Sequence, residues 1–163
     1  MTLNIYELIS QSIQNIPVNL EALFEKAGIA FKREMLPADI YGCLKRVDGD
    51  KFEITVNMSN SPNRQRFTAA HELGHFVLHR HLLGNGVSDN TAYRSVAGSE
   101  CYNSSITARH ETEANMFAAS VLMPTPVVKQ LWETGVTSIS ELANRFEVST
   151  AAMEIRLRSL GLR

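Results

Sequence analysis

The string His71-Glu72-Leu73-Gly74-His75 constrains this chain more than any other feature. It lies inside Arg66-Phe67-Thr68-Ala69-Ala70-His71-Glu72-Leu73-Gly74-His75-Phe76-Val77-Leu78, a stretch that reads as a helix. Residues four apart on a helix share a face, so both imidazoles can turn a ring nitrogen onto one ion. Glu72 falls about 100° around the axis, beside such an ion rather than on it, where a general base for a zinc-activated water belongs. A pair of helical histidines does not complete a catalytic zinc site, which takes three protein ligands and keeps one open position. The fold must therefore bring a second element against this helix.

Length and composition limit the alternatives. At 163 residues, with 44% hydrophobic and 20% charged residues, the chain is a single domain large enough to bury a core. A formal net charge of −1 provides no global basic field for nucleic acid. No apolar run approaches the ~20 residues needed to span a bilayer, so no membrane association is expected. The amino-terminal Met1-Thr2-Leu3-Asn4-Ile5-Tyr6 lacks a signal pattern. Cys43 and Cys101 are too isolated for a disulfide framework or a cysteine metal site, so both are expected as free thiols in a cytoplasmic protein.

Apolar residues at helical spacing (Ile5, Leu8, Ile9, Ile13) open the chain, and a second short helix follows from Pro17 and closes at Gly28. Ile40–Val47 and Lys51–Asn57 flank Asp48-Gly49-Asp50, a strong hairpin signal. With an extended piece around Ala30 to Met35, they predict a small antiparallel three-stranded sheet packed on a helical core. Pro62 suits the first turn of the motif helix. Gly84 to Ser105, rich in Gly, Ser and Asn, reads as loop with a short strand at Ala92-Tyr93-Arg94. A further helix spans Ala108 to Leu122 and stops at Met123-Pro124, and more helices fill Pro126 to Leu160. The expected class is α+β, with residues 1–125 as core and 126–163 as a carboxy-terminal helical subdomain packed on it.

Four side chains compete for the third ligand position. His79 lies on the stripe of His71 and His75, but its backbone is about 12 Å from that of His71, too far to share an ion. His81 occupies the third histidine position of the metzincin string, yet Leu78 stands where that string has its turning glycine. Glu111 shares a helix face with Asn115, Ala118 and Leu122, and small residues at Ala114, Ala118 and Ala119 allow a close helix–helix approach. A carboxylate at 111 supplies a third bond, and Asn115 one turn on supplies a hydrogen bond to a ligand histidine. Glu113 points about 200° away from Glu111 and is expected to face solvent.

These residues, Arg66-Phe67-Thr68-x-Ala70-His71-Glu72-x-Gly74-His75 followed by Glu111-x-x-Ala114-Asn115-x-Phe117-Ala118-x-x-x-Leu122-Met123-Pro124, resemble the ImmA/IrrE family of zinc metallopeptidases. The resemblance covers about residues 50 to 125 and, weakly, the carboxy-terminal helices. It implies a zincin-like, gluzincin-type core with Zn2+ on His71, His75 and Glu111, Glu72 as catalytic base, and Asn115 supporting a ligand. It further implies an intracellular endopeptidase whose protein substrate is a helix-turn-helix repressor, cleaved to relieve repression. Tyr93, Arg94, Tyr102 and His110 are candidate additional donors to the reacting carbonyl.

Ser138 to Arg158 also reads like a helix-turn-helix, with Leu142, Ala143 and Val148-Ser149 where such units pack and Arg145, Arg156 and Arg158 placed to meet phosphates. Glu141, Glu147 and Glu154 in the same segment oppose a phosphate field, so direct DNA binding is not favoured. The competing function is a DNA-binding or toxin–antitoxin regulatory protein with a structural zinc. Glu72 argues against that role, since a structural zinc needs no base beside it.

Overall fold

The computed structural model describes residues 4–83, 86–90, 103 and 105–163. Its elements are α1 (Ile5–Ser12), α2 (Leu20–Ala27), β1 (Ile29–Glu34), β2 (Ile40–Asp48), β3 (Lys51–Asn57), α3 (Pro62–Leu78), a 3-10 turn (Arg80–Leu82), β4 (Gly86–Asn90), α4 (Ala108–Leu122), α5 (Thr125–Glu133), α6 (Ile139–Phe146) and α7 (Thr150–Ser159). The architecture is α+β, as its sequence patterns predict. Helix starts follow the capping rules: the side chains of Asn4, Asn19, Ser61, Ser138 and Ser149 each accept a backbone N–H from the first turn of their helices.

The sheet differs from the expected antiparallel three-stranded form. Among the described residues it has four strands in the order β1-β3-β2-β4 and is mixed, because β1 runs parallel to β3. The β2–β3 hairpin is present as expected, with Asp48 paired to Lys51 across the turn. The correction lies in β1, which pairs with the far side of β3 instead of with β2. Chain 35–39 therefore crosses the end of β3, and the fully buried Asn57 holds it there. The Asn57 amide nitrogen donates to Leu36 O at 3.1 Å and Ile40 O at 2.9 Å, and its oxygen accepts from the Leu36 N–H. This long-range anchor, which no local period encodes, fixes the path of the connection between β1 and β2. β4 is the second difference: it pairs with β2 within a segment expected as loop. The strand expected at Ala92-Tyr93-Arg94 lies outside the described residues.

A helix buried on every side belongs to the core rather than the surface. α3 is buried without a break from Thr68 to Phe76, between the sheet and α4. Phe76 meets Phe52 of β3 edge-to-face at 5.1 Å between ring centroids. Gly42 on β2 allows α3 to settle on the sheet, since a Cβ there would collide with the Thr68 methyl and the Thr55 carbonyl. The carboxy-terminal helices contribute Val128, Leu142, Phe146, Met153 and Leu157 to the same buried cluster as Leu73 and Leu122. Arg156, expected as a candidate phosphate contact, instead turns inward. It donates to Met123 O at 3.1 Å and to Thr125 Oγ1 at 3.0 Å, tying α7 to the junction of α4 and α5. Arg145 and Arg158 pair with Glu141 and Glu154 on their own helices, each at 2.7 Å. Cys43 on β2 is disulfide-bonded, which corrects the expectation of a free thiol there; Cys101 lies outside the described residues.

Candidate metal centre

The site forms where α3 and α4 cross. Their approach depends on Gly74, for a Cβ built there would lie 3.2 Å from both Cα and O of Ala114 and 3.1 Å from Phe117 Cδ1. With small residues facing each other, the polar side chains flanking this contact reach across it. The Nε2 atoms of His71 and His75 stand 3.0 Å apart. Glu111 places Oε2 3.0 Å from His71 Nε2 and Oε1 3.3 Å from His75 Nε2. Ligands held at about 2.0–2.1 Å around a tetrahedral ion are about 3.3 Å apart, so these spacings suit one shared cation. Among the described residues these three side chains form the group able to hold a metal ion.

Electrostatics favour the same reading. Burial works to raise the Glu111 pKa, but the His71 and His75 rings set against the carboxyl outweigh it and hold the carboxyl at about 2. Burial pushes the His75 imidazole below its ordinary 6.5, against the opposing pull of Glu111. Near neutral pH the pair is thus a carboxylate and a neutral ring, the forms in which both bind metal. Asn115, one turn beyond Glu111, accepts the Nδ1–H of His71 at 2.8 Å and so leaves the His71 Nε2 lone pair directed at the site. This is the contact expected for Asn115 from its spacing.

Glu72 has 0% exposure on α3 between the histidines. Carboxylates are almost never fully buried, and burial of several titratable groups in one place marks a functional site. His81 is exposed in the 3-10 turn, outside the ligand group. His79 also stands outside the His71, His75 and Glu111 group. It is nevertheless buried and linked to the centre: its Nδ1 lies 3.0 Å from His75 Nδ1, and its Nε2 lies 2.9 Å from Glu113 Oε2. Glu113 was expected to face solvent; it is only half-buried, yet it reaches His79 and also accepts from Arg109 Nε at 2.8 Å. The repeat His71, His75, His79 at four-residue intervals was the available signal for this link. Of the candidate donors, His110 accepts the Thr107 N–H at the start of α4 and packs its ring against His79 at 4.8 Å. Tyr93, Arg94 and Tyr102 lie outside the described residues. A separate cavity of about 670 Å³ opens on the other face of α3, bounded by Val18, Phe31, Arg33, Arg66, Ala69 and Glu147, away from the histidines.

One consequence follows for the metal-free protein. Glu111 has a folded pKa below its ordinary 4.5, so its contribution to stability is present above pH 4.5 and lost as pH falls toward 2. The depressed His75 acts with the same sign, because below pH 6.5 the unfolded chain takes up its proton more readily. The melting temperature of metal-free protein should therefore decline on acidification from about pH 6.5 and fall further below 4.5. A Glu111→Gln variant with an unchanged slope below pH 4.5 would remove Glu111 as the cause of the lower step.

A helix carrying two histidines and a buried glutamate, met by a second helix whose carboxylate reaches both histidines, has the form of a metallopeptidase site. Residues 34–158 match the model of the IrrE N-terminal-like domain family, and the chain belongs to it. The chain is 36% identical over 102 residues to the Radiation response metalloprotease IrrE of Deinococcus radiodurans, a match covering 61% of this chain and 28% of that protein. The chain thus spans under a third of that relative's length. In fold it is similar to a Mycobacterium tuberculosis transcriptional regulator, with a TM-score of 0.59, 19% identity, and coverage of 93% of this chain and 46% of that one. No helix among the described residues is long and apolar enough to cross a membrane.

Proposed function

We propose that this protein is a zinc-dependent endopeptidase whose substrate is a helix-turn-helix transcriptional repressor, cleaved to relieve repression. The observation that carries the enzymatic reading is the convergence of His71 Nε2, His75 Nε2 and the Glu111 carboxylate, with Glu72 buried beside them. Two imidazoles and one carboxylate form a donor set that suits zinc, and three protein ligands leave a coordination position open. Bound there, zinc would supply Lewis-acid chemistry, acidifying water and polarising a peptide carbonyl.

The chain's own residues do the remaining work. His71 and His75 would hold the ion through Nε2, and Asn115 keeps the His71 ring oriented. Glu72 takes the proton of the attacking water and returns it to the departing amine, which lets one carboxylate serve as base and then as acid. Residues 126–163 form a helical unit packed on the metal-binding core. The internal pairing of Arg145, Arg156 and Arg158 supports a structural or substrate-docking role for it over phosphate binding.

The test is incubation of the purified protein with the repressor-like protein encoded nearest to it, with zinc and with zinc plus chelator. Cleavage at one bond, abolished by chelator and restored by added zinc, is the expected result. Intact repressor under zinc-replete conditions, together with steeply salt-dependent DNA binding, would favour the regulatory alternative with a structural metal.

A further inference from the structure

We propose that Glu113 and His79 are positioning residues that fix the proton of His75 on Nδ1 and thereby keep its Nε2 lone pair aimed at the metal position. The proposal rests on the metal-binding reading of His71, His75 and Glu111. Its logic is one of donors and acceptors. A carboxylate can only accept, so Glu113 Oε2, 2.9 Å away, requires the proton of a neutral His79 to sit on Nε2. The Nδ1 of His79 is then an acceptor. It lies 3.0 Å from His75 Nδ1, and that contact is a hydrogen bond only if His75 donates from Nδ1. The proton of His75 is thereby removed from Nε2, the atom 3.0 Å from His71 Nε2 and 3.3 Å from Glu111 Oε1. The polarity of the whole chain is set at its outer end by one carboxylate.

The rest of the arrangement holds that chain in place. Arg109 Nε binds the other oxygen of Glu113 at 2.8 Å, and the His110 ring packs against His79. His79 is 3% exposed, so water does not compete freely for its Nδ1. α4 thus orients both ligand histidines of α3, His71 directly through Asn115 and His75 through His79. A ligand histidine is commonly oriented by a carboxylate or carbonyl on its remaining nitrogen. Here a second histidine is interposed, and the carboxylate acts one ring further out.

The test compares the full chain with Glu113→Ala and Glu113→Gln. Glutamine can accept the His79 Nε2–H through its amide oxygen and should preserve the polarity, whereas alanine removes the acceptor. Nitrogen-15 NMR of the imidazoles in metal-free protein reads the tautomer of His75 without metal or catalysis. Wild type and Glu113→Gln should show His75 protonated on Nδ1, while Glu113→Ala should show a mixture with Nε2-protonated ring. Zinc affinity by chelator competition should fall ~10–100-fold in Glu113→Ala and stay within about threefold in Glu113→Gln. The Nδ1-protonated form undiminished in Glu113→Ala would overturn the proposal, as would unchanged zinc affinity in that variant. Failure of wild type to bind zinc would instead overturn the metal-site reading, and the tautomer measurement would still decide the role of Glu113.

Discussion

Glu72→Gln should bind zinc within about threefold of the wild-type protein and hydrolyse peptide bonds ~10²–10⁴-fold more slowly, the usual contribution of a positioned general base. The substitution keeps side-chain length and leaves His71, His75 and Glu111 untouched, but an amide takes no proton from water near neutral pH. His75→Ala is the matching control, expected to lose zinc and hydrolysis together. The two variants separate holding the metal from moving the proton. Chelator-sensitive cleavage at the wild-type rate by Glu72→Gln would place the base elsewhere in the chain.

The second large effect is expected at a residue with no polar atom in its side chain. Gly74→Val would place a branched side chain into a gap where even a Cβ lies 3.2 Å from the Ala114 backbone. Overpacking of this kind costs about 1–3 kcal/mol. For a chain of this size that corresponds to a melting temperature lower by roughly 3–10 °C. The diagnostic consequence is loss of zinc affinity by ~10-fold or more, since α4 can yield only by carrying Glu111 and Asn115 away from the α3 histidines. Gly74→Ala makes the point more sharply. Its gain of about 1 kcal/mol in helix propensity offsets much of the crowding, so stability should change little while zinc affinity still falls. Chelator competition and thermal melting on the same samples test both statements, and wild-type zinc affinity in Gly74→Val would show that the helices separate without disturbing the site.

How far the site could be read in advance follows from the range of each interaction. His71, Glu72 and His75 were legible because four-residue spacing on one helix decides which side chains converge, and Glu111 with Asn115 followed by the same rule. Glu113 was misplaced because its angle was judged relative to Glu111 alone. α3 presents histidines over two turns, and the partner of Glu113 is His79, one turn further along. His79 was set aside on its distance from the expected ion position, but that distance says nothing about which group holds a neighbouring histidine from behind. In the fold, helix ends followed capping residues closely, and α4 begins and ends where its sequence pattern places it. The order of the sheet was not legible, because β1 pairs with β3, more than twenty residues away along the chain. β4 joins β2 from a segment without alternation, where edge pairing supplies what pattern does not.

The three polar residues of α4 that meet the histidine row on the ligand side and from behind, Glu111, Glu113 and Asn115, fall within five consecutive residues. Substituting any one of them leaves the others in place. Inserting or deleting a single residue between Glu111 and Asn115 would turn the residues before it by about 100° relative to those after it, so that the three could no longer all reach the histidine row across the Gly74–Ala114 contact. The site therefore tolerates the loss of a letter better than a shift of the reading frame between two helices. In a library of random variants, single-codon insertions and deletions between 111 and 115 should abolish metal binding as His75→Ala does, while substitutions at the exposed Thr112 and Met116 pass unnoticed.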